Sequence, residues 1–236
     1  MNNEKVSAVI VAAGSGKRMG SQVSKQYMPL QGKPLLYYCL KAFEENRRID
    51  EIVVVVGAQE IEFCKKNIIK KYGFQKTKQV IQGGAERVDS VYEGLKVISD
   101  CQIVLIHDGA RPFITDDMID RAIDGAKKYQ ACVLGIPVKD TIRIADAEGF
   151  AENTPDRRLI WSIQTPQAFS YPLLIKAYKL LFSTKNIDFK ITDDAMVVET
   201  MTGTRIKLLA GSYQNIKITT PEDMIIATAF CTMRER

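Results

Sequence analysis

The chain of 236 residues is 46% apolar and carries a formal net charge of +5, enough length and apolar content for one large α/β domain. The positive charge is diffuse: Lys65, Lys66, Lys70 and Lys71 read as the solvated face of a helix, without the interleaved aromatic residues of a nucleic-acid binder. No apolar run reaches membrane-span length, MNNEKV makes no signal peptide, and the five scattered cysteines form no Cys-x-x-Cys pair. These features predict reduced thiols and a cytoplasmic location, with neither nucleic acid nor membrane as partner.

The first predicted element, Val6–Ala12, has the length and β-branching of a buried parallel strand. Ala13-Gly14-Ser15-Gly16 follows, a backbone nearly bare of side chains, and then Lys17, Arg18 and Lys25. Peptide N–H groups open to close approach, with cations beside them, suit phosphate; a plain tight turn would use the same small residues. A Walker A loop would need Gly at Val11 and Ser or Thr at Arg18, and the dinucleotide fingerprint would need Gly at Met19. Neither motif fits.

Gln26–Gly32 is expected to be short and extended, and Pro34 to open a helix running to about Asn46. Ile52–Val56 is a second buried strand, Gln59–Tyr72 a helix stopped by Gly73, and Gln79–Ile81 a third strand leading into Gly83 and Gly84. Val88, Val91, Leu95 and Ile98 mark a helix, and Ile103–Ile106 a core strand ending in His107-Asp108-Gly109-Ala110-Arg111-Pro112. Thr115 caps a helix with Asp116 and Asp117 in its first turn, and Ala131–Ile136 is strand-like. This alternation predicts a doubly wound, mostly parallel Rossmann-like sheet, with loops 13–25, 82–90 and 107–112 meeting at one crevice beyond the strand ends.

Residues 137–160 break the rhythm and read as a hairpin-like arm, either surface ornament or a dimer arm or lid. Gln164–Gln167 precedes a helix at Tyr171–Phe182; Asp193–Thr200 is helical; Arg205–Leu209 and Ile216–Thr219 read as strands. Thr220-Pro221-Glu222-Asp223 starts the last helix. His107 is the sole histidine, which excludes paired-His chemistry and favours a structural role for it. Asp108, ending a strand at the crevice, reads as a Mg²⁺ (or other divalent cation) ligand, directly or through water, or else as a loop cap. Arg111 and Lys217 bring cations from distant sequence. Cations, backbone N–H groups and one acid suit phosphoryl or nucleotidyl transfer.

Ala12-Ala13-Gly14-Ser15-Gly16-Lys17-Arg18-Met19-Gly20 with Lys25 resembles the A-A-G-x-G-x-R-M…K pattern of sugar-nucleotide pyrophosphorylases and related nucleotidyltransferases. Asp108–Pro112, Lys139-Asp140-Thr141, Asp156-Arg157, Thr165-Pro166-Gln167, Thr192-Asp193-Asp194 and Asn215–Thr219, in order along essentially the whole chain, resemble the 2-C-methyl-D-erythritol 4-phosphate cytidylyltransferase family of the non-mevalonate isoprenoid pathway. The resemblance implies a cytidylyltransferase joining CTP and methylerythritol phosphate with Mg²⁺, by in-line attack of the substrate phosphate on the α-phosphate of CTP. It implies Arg18, Lys25 and Lys217 as catalytic cations. It places Ala12, Ala13, Gly14, Gly16, Arg18, Lys25, Gly83, Ser90 and Asp108 at the nucleotide; Ser90 could instead be a plain early-helix residue. It places Asp108, Arg111, Thr141, Arg157, Thr165, Thr192 and Lys217 at the methylerythritol phosphate. Thr141 and Arg157 would come from the partner of a homodimer joined through the 137–160 arm. The alternatives are a ribitol 5-phosphate cytidylyltransferase, disfavoured by Ala110 where that family tends to have Ser, and a silent nucleotide-binding module. The whole of residues 1–236 is expected to form one domain, without room for a fused downstream pathway enzyme.

Overall fold

The computed structural model describes residues 4–14, 24–184 and 190–234. In chain order, β1 (Val6–Val11) leads to a 3₁₀ turn at Lys25–Tyr27, the two-residue strands β2 (Pro29–Leu30) and β3 (Lys33–Pro34), and α1 (Leu35–Glu45). Next come β4 (Glu51–Val56), α2 (Ile61–Cys64), β5 (Thr77–Gln82), α3 (Arg87–Lys96), β6 (Ile103–Asp108), α4 (Asp116–Tyr129) and β7 (Ala131–Pro137). The arm holds β8 (Ile144–Ala145) and β9 (Ala151–Asn153), after which β10 (Trp161–Ser170), α5 (Tyr171–Ser183), α6 (Asp194–Thr202), β11 (Lys207–Ala210) and α7 (Pro221–Arg234) complete the chain.

Seven of these strands form one sheet in the order β11-β7-β10-β6-β1-β4-β5. β1 is parallel to both neighbours, with Val11 opposite Val55 on one side and Asp108 on the other. The chain therefore leaves β1 first toward β4 and only later toward β6, and a crevice opens at the carboxyl ends where the order reverses. Side-chain alternation feeds two cores. Ala8, Ile10, Ile52, Val54 and Leu105 pack under α1 and α4; Val9, Val53, Val55, Val104 and Ile106 pack under α3, α5 and α6. A smaller cluster of Leu30, Leu35, Phe113, Ile218 and Ala227 seats α7 beside β2.

The structure departs from the expected elements at several points. Trp161–Ser170, where no strand is expected, is the longest strand; it runs antiparallel between β6 and β7, with its register shifting between Ile163 and Gln167. Its Gln, Thr and Pro residues carry no alternating pattern, since neighbours on both sides supply the ladder. Ile216–Thr219 is not a strand, because Ile218 N donates to Ala110 O (2.8 Å) and Ile216 N to Gln214 O (2.8 Å) instead of joining a ladder. The helix expected over 59–72 is composite: a 3₁₀ turn at Ala58–Glu60, α2, and then a π-helical stretch at Lys65–Lys70. Gln26–Gly32 holds part of the Lys25–Tyr27 turn as well as β2. Of the alternating Thr141–Ile144 only Ile144 joins a ladder, opposite Asn153, so the alternation does not make a long strand. Thr115 caps α4 as expected, accepting from Met118 N at 3.4 Å.

Gly94 lets α3 lie directly on the sheet: a Cβ there would stand 2.5 Å from Val9 Cγ1 and 3.2 Å from Val55 Cγ2. Because the approach is as close as 2.5 Å, Gly94→Ala is expected to cost about 2–3 kcal/mol of overpacking, more than the roughly 1 kcal/mol gained in helix propensity. Urea unfolding should show a lower midpoint at unchanged slope; an unchanged midpoint would contradict this packing.

Candidate active site

The crevice at the strand ends is a cleft of about 370 Å³ lined by Val11–Gly14, Lys25, Gln26, Gly84–Arg87, Ser90, Asp108–Ala110 and Lys217. The three loops expected to converge do so, as far as the described residues trace them. Gly16 and Arg18 lie outside the described residues. Gly83 stands where the 82–90 loop crosses the first loop: a Cβ there would come within 2.6 Å of both Ala13 Cβ and Ser90 Oγ. Ser90 lines the cleft, but its hydroxyl donates to Glu86 O (3.0 Å) and accepts from Gly84 N (3.2 Å), so it also shapes the turn that opens α3.

Asp108 is the electrostatic centre. Its side chain is only 10% exposed, with Oδ1 taking Arg87 Nε at 3.1 Å and Oδ2 taking Lys217 Nζ at 2.8 Å; Arg111 Nε stands 3.9 Å from Oδ2. Burial alone would raise its pKa, but Arg87, Lys217 and Arg111 together hold it well below the usual carboxylate range. Arg87 also donates through Nη2 to the fully buried Asp194 (2.8 Å), which accepts from Tyr178 Oη at 2.6 Å. Burial opposes the charge on Arg87, and Asp194 and Asp108 reverse this, raising its pKa. Arg111 and Lys217 thus share one carboxylate that Arg87 also uses, and positive charge is left over for an anion.

Lys217 reaches the cleft without a strand to carry it. Ile218 beside it is fully buried, and the preceding Asn215 donates through Nδ2 to Thr165 O (2.9 Å) while its own carbonyl accepts from Arg111 Nη1 (2.8 Å). Lys25 also reaches the cleft, its Nζ 3.4 Å from Ile218 O. A second hollow, about 230 Å³, adjoins the cleft and is lined by Arg111, Gln164, Thr165, Thr192 and Lys217 among others. Arg111, Thr165 and Thr192, expected at the second substrate, are therefore together. Thr141 and Arg157 line neither space. Both are exposed on the arm, where Arg157 Nη1 donates to Lys139 O at 3.2 Å.

Thr165 Oγ1 accepts from Asp108 N (3.0 Å) and lies 3.1 Å from His107 Nδ1, while His107 Nε2 lies 3.1 Å from Arg111 O. A neutral imidazole protonated on Nε2 satisfies all of these groups. His107 is thus structural, as its isolation in the sequence suggested. The sequence left Asp194, Gln164 and Asn215 without roles and placed Arg87 only as a match to the family's cytosine-selecting 83–90 loop, not as the partner of Asp108 and Asp194. Asp194 was visible only as a motif letter, because its pairing with a cation 107 residues away is a property of the fold.

Among the described residues no cluster of three or more His, Cys, Asp or Glu could hold a metal ion. Both Asp108 oxygens meet cations here, so a divalent cation would reach Asp108 either across water or once Lys217 has moved to an anion.

A twisted, mostly parallel sheet with a cation-lined cleft at its switch point defines a nucleotidyltransferase-type α/β protein. The chain belongs to the 2-C-methyl-D-erythritol 4-phosphate cytidylyltransferase (IspD) family, whose model matches residues 6–233. It is 52% identical over 227 residues to the 2-C-methyl-D-erythritol 4-phosphate cytidylyltransferase of Alkaliphilus oremlandii, covering 96% of this chain and 94% of that one. It is 51% identical over 226 residues to the enzyme of that name from Lachnoclostridium phytofermentans, covering 96% of each. Among solved structures it is similar to the 4-diphosphocytidyl-2C-methyl-D-erythritol synthase of Anaerococcus prevotii (TM-score 0.85, 33% identity, 98% of this chain and 97% of that one). It is also similar to the Francisella tularensis 2-C-methyl-D-erythritol 4-phosphate cytidylyltransferase (TM-score 0.79, 31% identity, 96% and 99%).

Burial lowers the His107 pKa from 6.5 to about 4. A depressed folded value means that the stabilising contribution is complete above the unfolded pKa and is lost as pH falls toward 4. Unfolding free energy should therefore fall by about 2 kcal/mol between about pH 6.5 and pH 5. As the sole histidine, His107 makes the assignment clean: His107→Gln should flatten this stretch of a urea-midpoint profile, and an unaltered slope would contradict a buried neutral imidazole.

Proposed function

We propose that this cleft binds the triphosphate of CTP and that the adjoining hollow binds methylerythritol phosphate, so that the two meet across Lys217 and Asp108. The reaction is that of the family: CTP and 2-C-methyl-D-erythritol 4-phosphate give 4-diphosphocytidyl-2-C-methyl-D-erythritol and pyrophosphate. The observation that carries the assignment is the convergence of Lys25 and Lys217 on one cleft floored by the backbone of Ala12, Ala13 and Gly14.

Attack of a phosphate oxygen on the α-phosphorus passes through an oxygen-rich, highly charged transition state, so fixed cations are the chief catalytic need. Lys25 faces the α-phosphate and the departing pyrophosphate, and Arg18, outside the described residues, is assigned the same task by its match to the family pattern. Lys217 stands between the substrates, held by Asp108 until an anion competes for it. Gly14 allows close approach of the nucleotide, Gly16 is assigned beside it by the family pattern alone, Gly83 lets the 82–90 loop pack on Ala13, and Ser90 and Asp108 border the nucleotide. Arg111, Thr165 and Thr192 hold the second substrate, with Asp108 accepting from its hydroxyls. A divalent cation such as Mg²⁺ supplies charge neutralisation on the triphosphate when bound, with Asp108 contacting it through water.

Thr141 and Arg157 complete the second site from the arm of a partner subunit. The exposure of Ile144 (48%), Phe150 (69%) and Leu159 (77%) on that arm supports a homodimer in which these apolar groups are covered. No helix among the described residues is long and apolar enough to cross a membrane, in keeping with a cytoplasmic enzyme. One domain spanning residues 1–236, with 137–160 as its dimer arm, is the organisation this reading requires.

Pyrophosphate release with CTP plus methylerythritol phosphate, compared with ribitol phosphate and with other nucleotides, tests the assignment; no release with any pair would favour a silent binding module. Lys25→Ala or Lys217→Ala should each lower turnover by about 10²–10³-fold, and near-normal turnover would remove that residue from the mechanism. Mixed Arg157→Ala and Lys25→Ala subunits should recover activity through one intact composite site per heterodimer. Absence of recovery would contradict the arm model.

A further inference from the structure

Glu60 does not line the cleft, yet four donors converge on its carboxylate. Ser24 Oγ donates to Oε1, while Gln26 Nε2 (3.0 Å), Tyr27 Oη (3.5 Å) and Gly57 N (3.2 Å) donate to Oε2. Three of the four come from Ser24–Tyr27, the stretch that carries Lys25. The fourth, with Glu60 N donating to Gly57 O (2.9 Å), ties the carboxylate to the end of β4. Ser24 occupies the cap position of the Lys25–Tyr27 turn but makes no side-chain cap bond there; its hydroxyl goes to Glu60 instead. Gln26 is 2% exposed, so its amide has no ready exchange with water. The Tyr27 ring packs edge-on against Phe63, from the same region as Glu60, with centroids 4.9 Å apart.

A carboxylate only accepts, and its two oxygens can hold several donors at once in charge-assisted bonds. We infer that Glu60 is a positioning residue: its carboxylate clamps the Lys25–Tyr27 turn to the end of β4 and so sets where the Lys25 ammonium stands in the cleft. The sheet is the rigid body of the molecule, whereas the turn is a three-residue 3₁₀ segment outside it. Without an anchor, the long Lys25 side chain would start from a loosely held backbone. An electrostatic donor displaced by about 1 Å can lose about 10²-fold in rate. Glu60 therefore affects turnover through Lys25 while touching neither substrate.

The inference rests on the catalytic reading of Lys25, and a double-mutant cycle separates the two. Glu60→Gln keeps the size of the side chain but turns an amide donor toward groups that themselves donate. The steady-state kcat/KM for CTP would be measured at saturating methylerythritol phosphate for the wild type, Glu60→Gln, Lys25→Ala and the double variant. Urea midpoints of all four would establish that they are folded at the assay temperature. Glu60→Gln should lower kcat/KM by about 10–100-fold, yet change the Lys25→Ala enzyme by no more than about twofold, because the group it positions is gone. If Glu60→Gln does not fold, Ser24→Ala, which removes one donor, enters the same cycle and should show the same non-additivity. A folded Glu60→Gln enzyme with wild-type kcat/KM, or effects that multiply fully with Lys25→Ala, would overturn the positioning role. Normal activity of Lys25→Ala alone is a different failure, overturning the reading of Lys25 on which this role depends.

Discussion

The carboxylate of Asp108 sits at the end of β6 with little exposure, a position no ion occupies alone without a large desolvation cost. Arg87, Lys217 and Arg111 meet that cost from three separate parts of the chain. The same contacts bring the start of α3, the 108–111 loop and the C-terminal segment to one point. Folding thus gathers the cations around one carboxylate, and under the proposed function an incoming phosphate would meet donors already fixed in place. Lys217 is the most exposed of the three, its side chain 37% accessible, and is the cation best placed to exchange Asp108 for phosphate.

The topology explains why this carboxylate stands beside the glycine-rich loop. β1 pairs with β6 in parallel register, and Val11 lies opposite Asp108, so the loop leaving β1 and the acid ending β6 emerge side by side. On the other edge of β6 the antiparallel β10 brings Thr165 to the Asp108 N–H and Gln164 to the segment 212–215. That segment is irregular because side-chain amides and carbonyls, not a strand ladder, satisfy its polar groups. His107, Thr165 and Arg111 O form the buried layer beneath the site, and Glu60 braces the Lys25 turn from outside it.

Much of this was legible in the sequence. Strands with continuous β-branched runs, such as Ile52–Val56, declare themselves because burial on both faces demands such residues. The meeting of the glycine-rich loop, Asp108, Arg111 and Lys217 at adjoining spaces was legible from small residues and charges placed at strand ends. β10 was not, since Gln164, Thr165 and Pro166 take their strand geometry from neighbours rather than from any pattern of their own. The expected strand at Ile216–Thr219 failed for the converse reason: its apolar residues alternate to fill a small core, and no ladder accompanies them. Arg87 with Asp194, and Glu60 with Ser24, are pairings between distant or unremarkable residues that only the folded chain discloses.

The most direct measurement is a crystal structure of the protein with CTP bound. The account predicts the triphosphate on the backbone of residues 12–14, with Lys25 Nζ and Lys217 Nζ within hydrogen-bond distance of phosphate oxygens and Lys217 drawn away from Asp108. A triphosphate bound elsewhere, or one that leaves the Lys217–Asp108 pair intact and Lys25 out of reach, would contradict it.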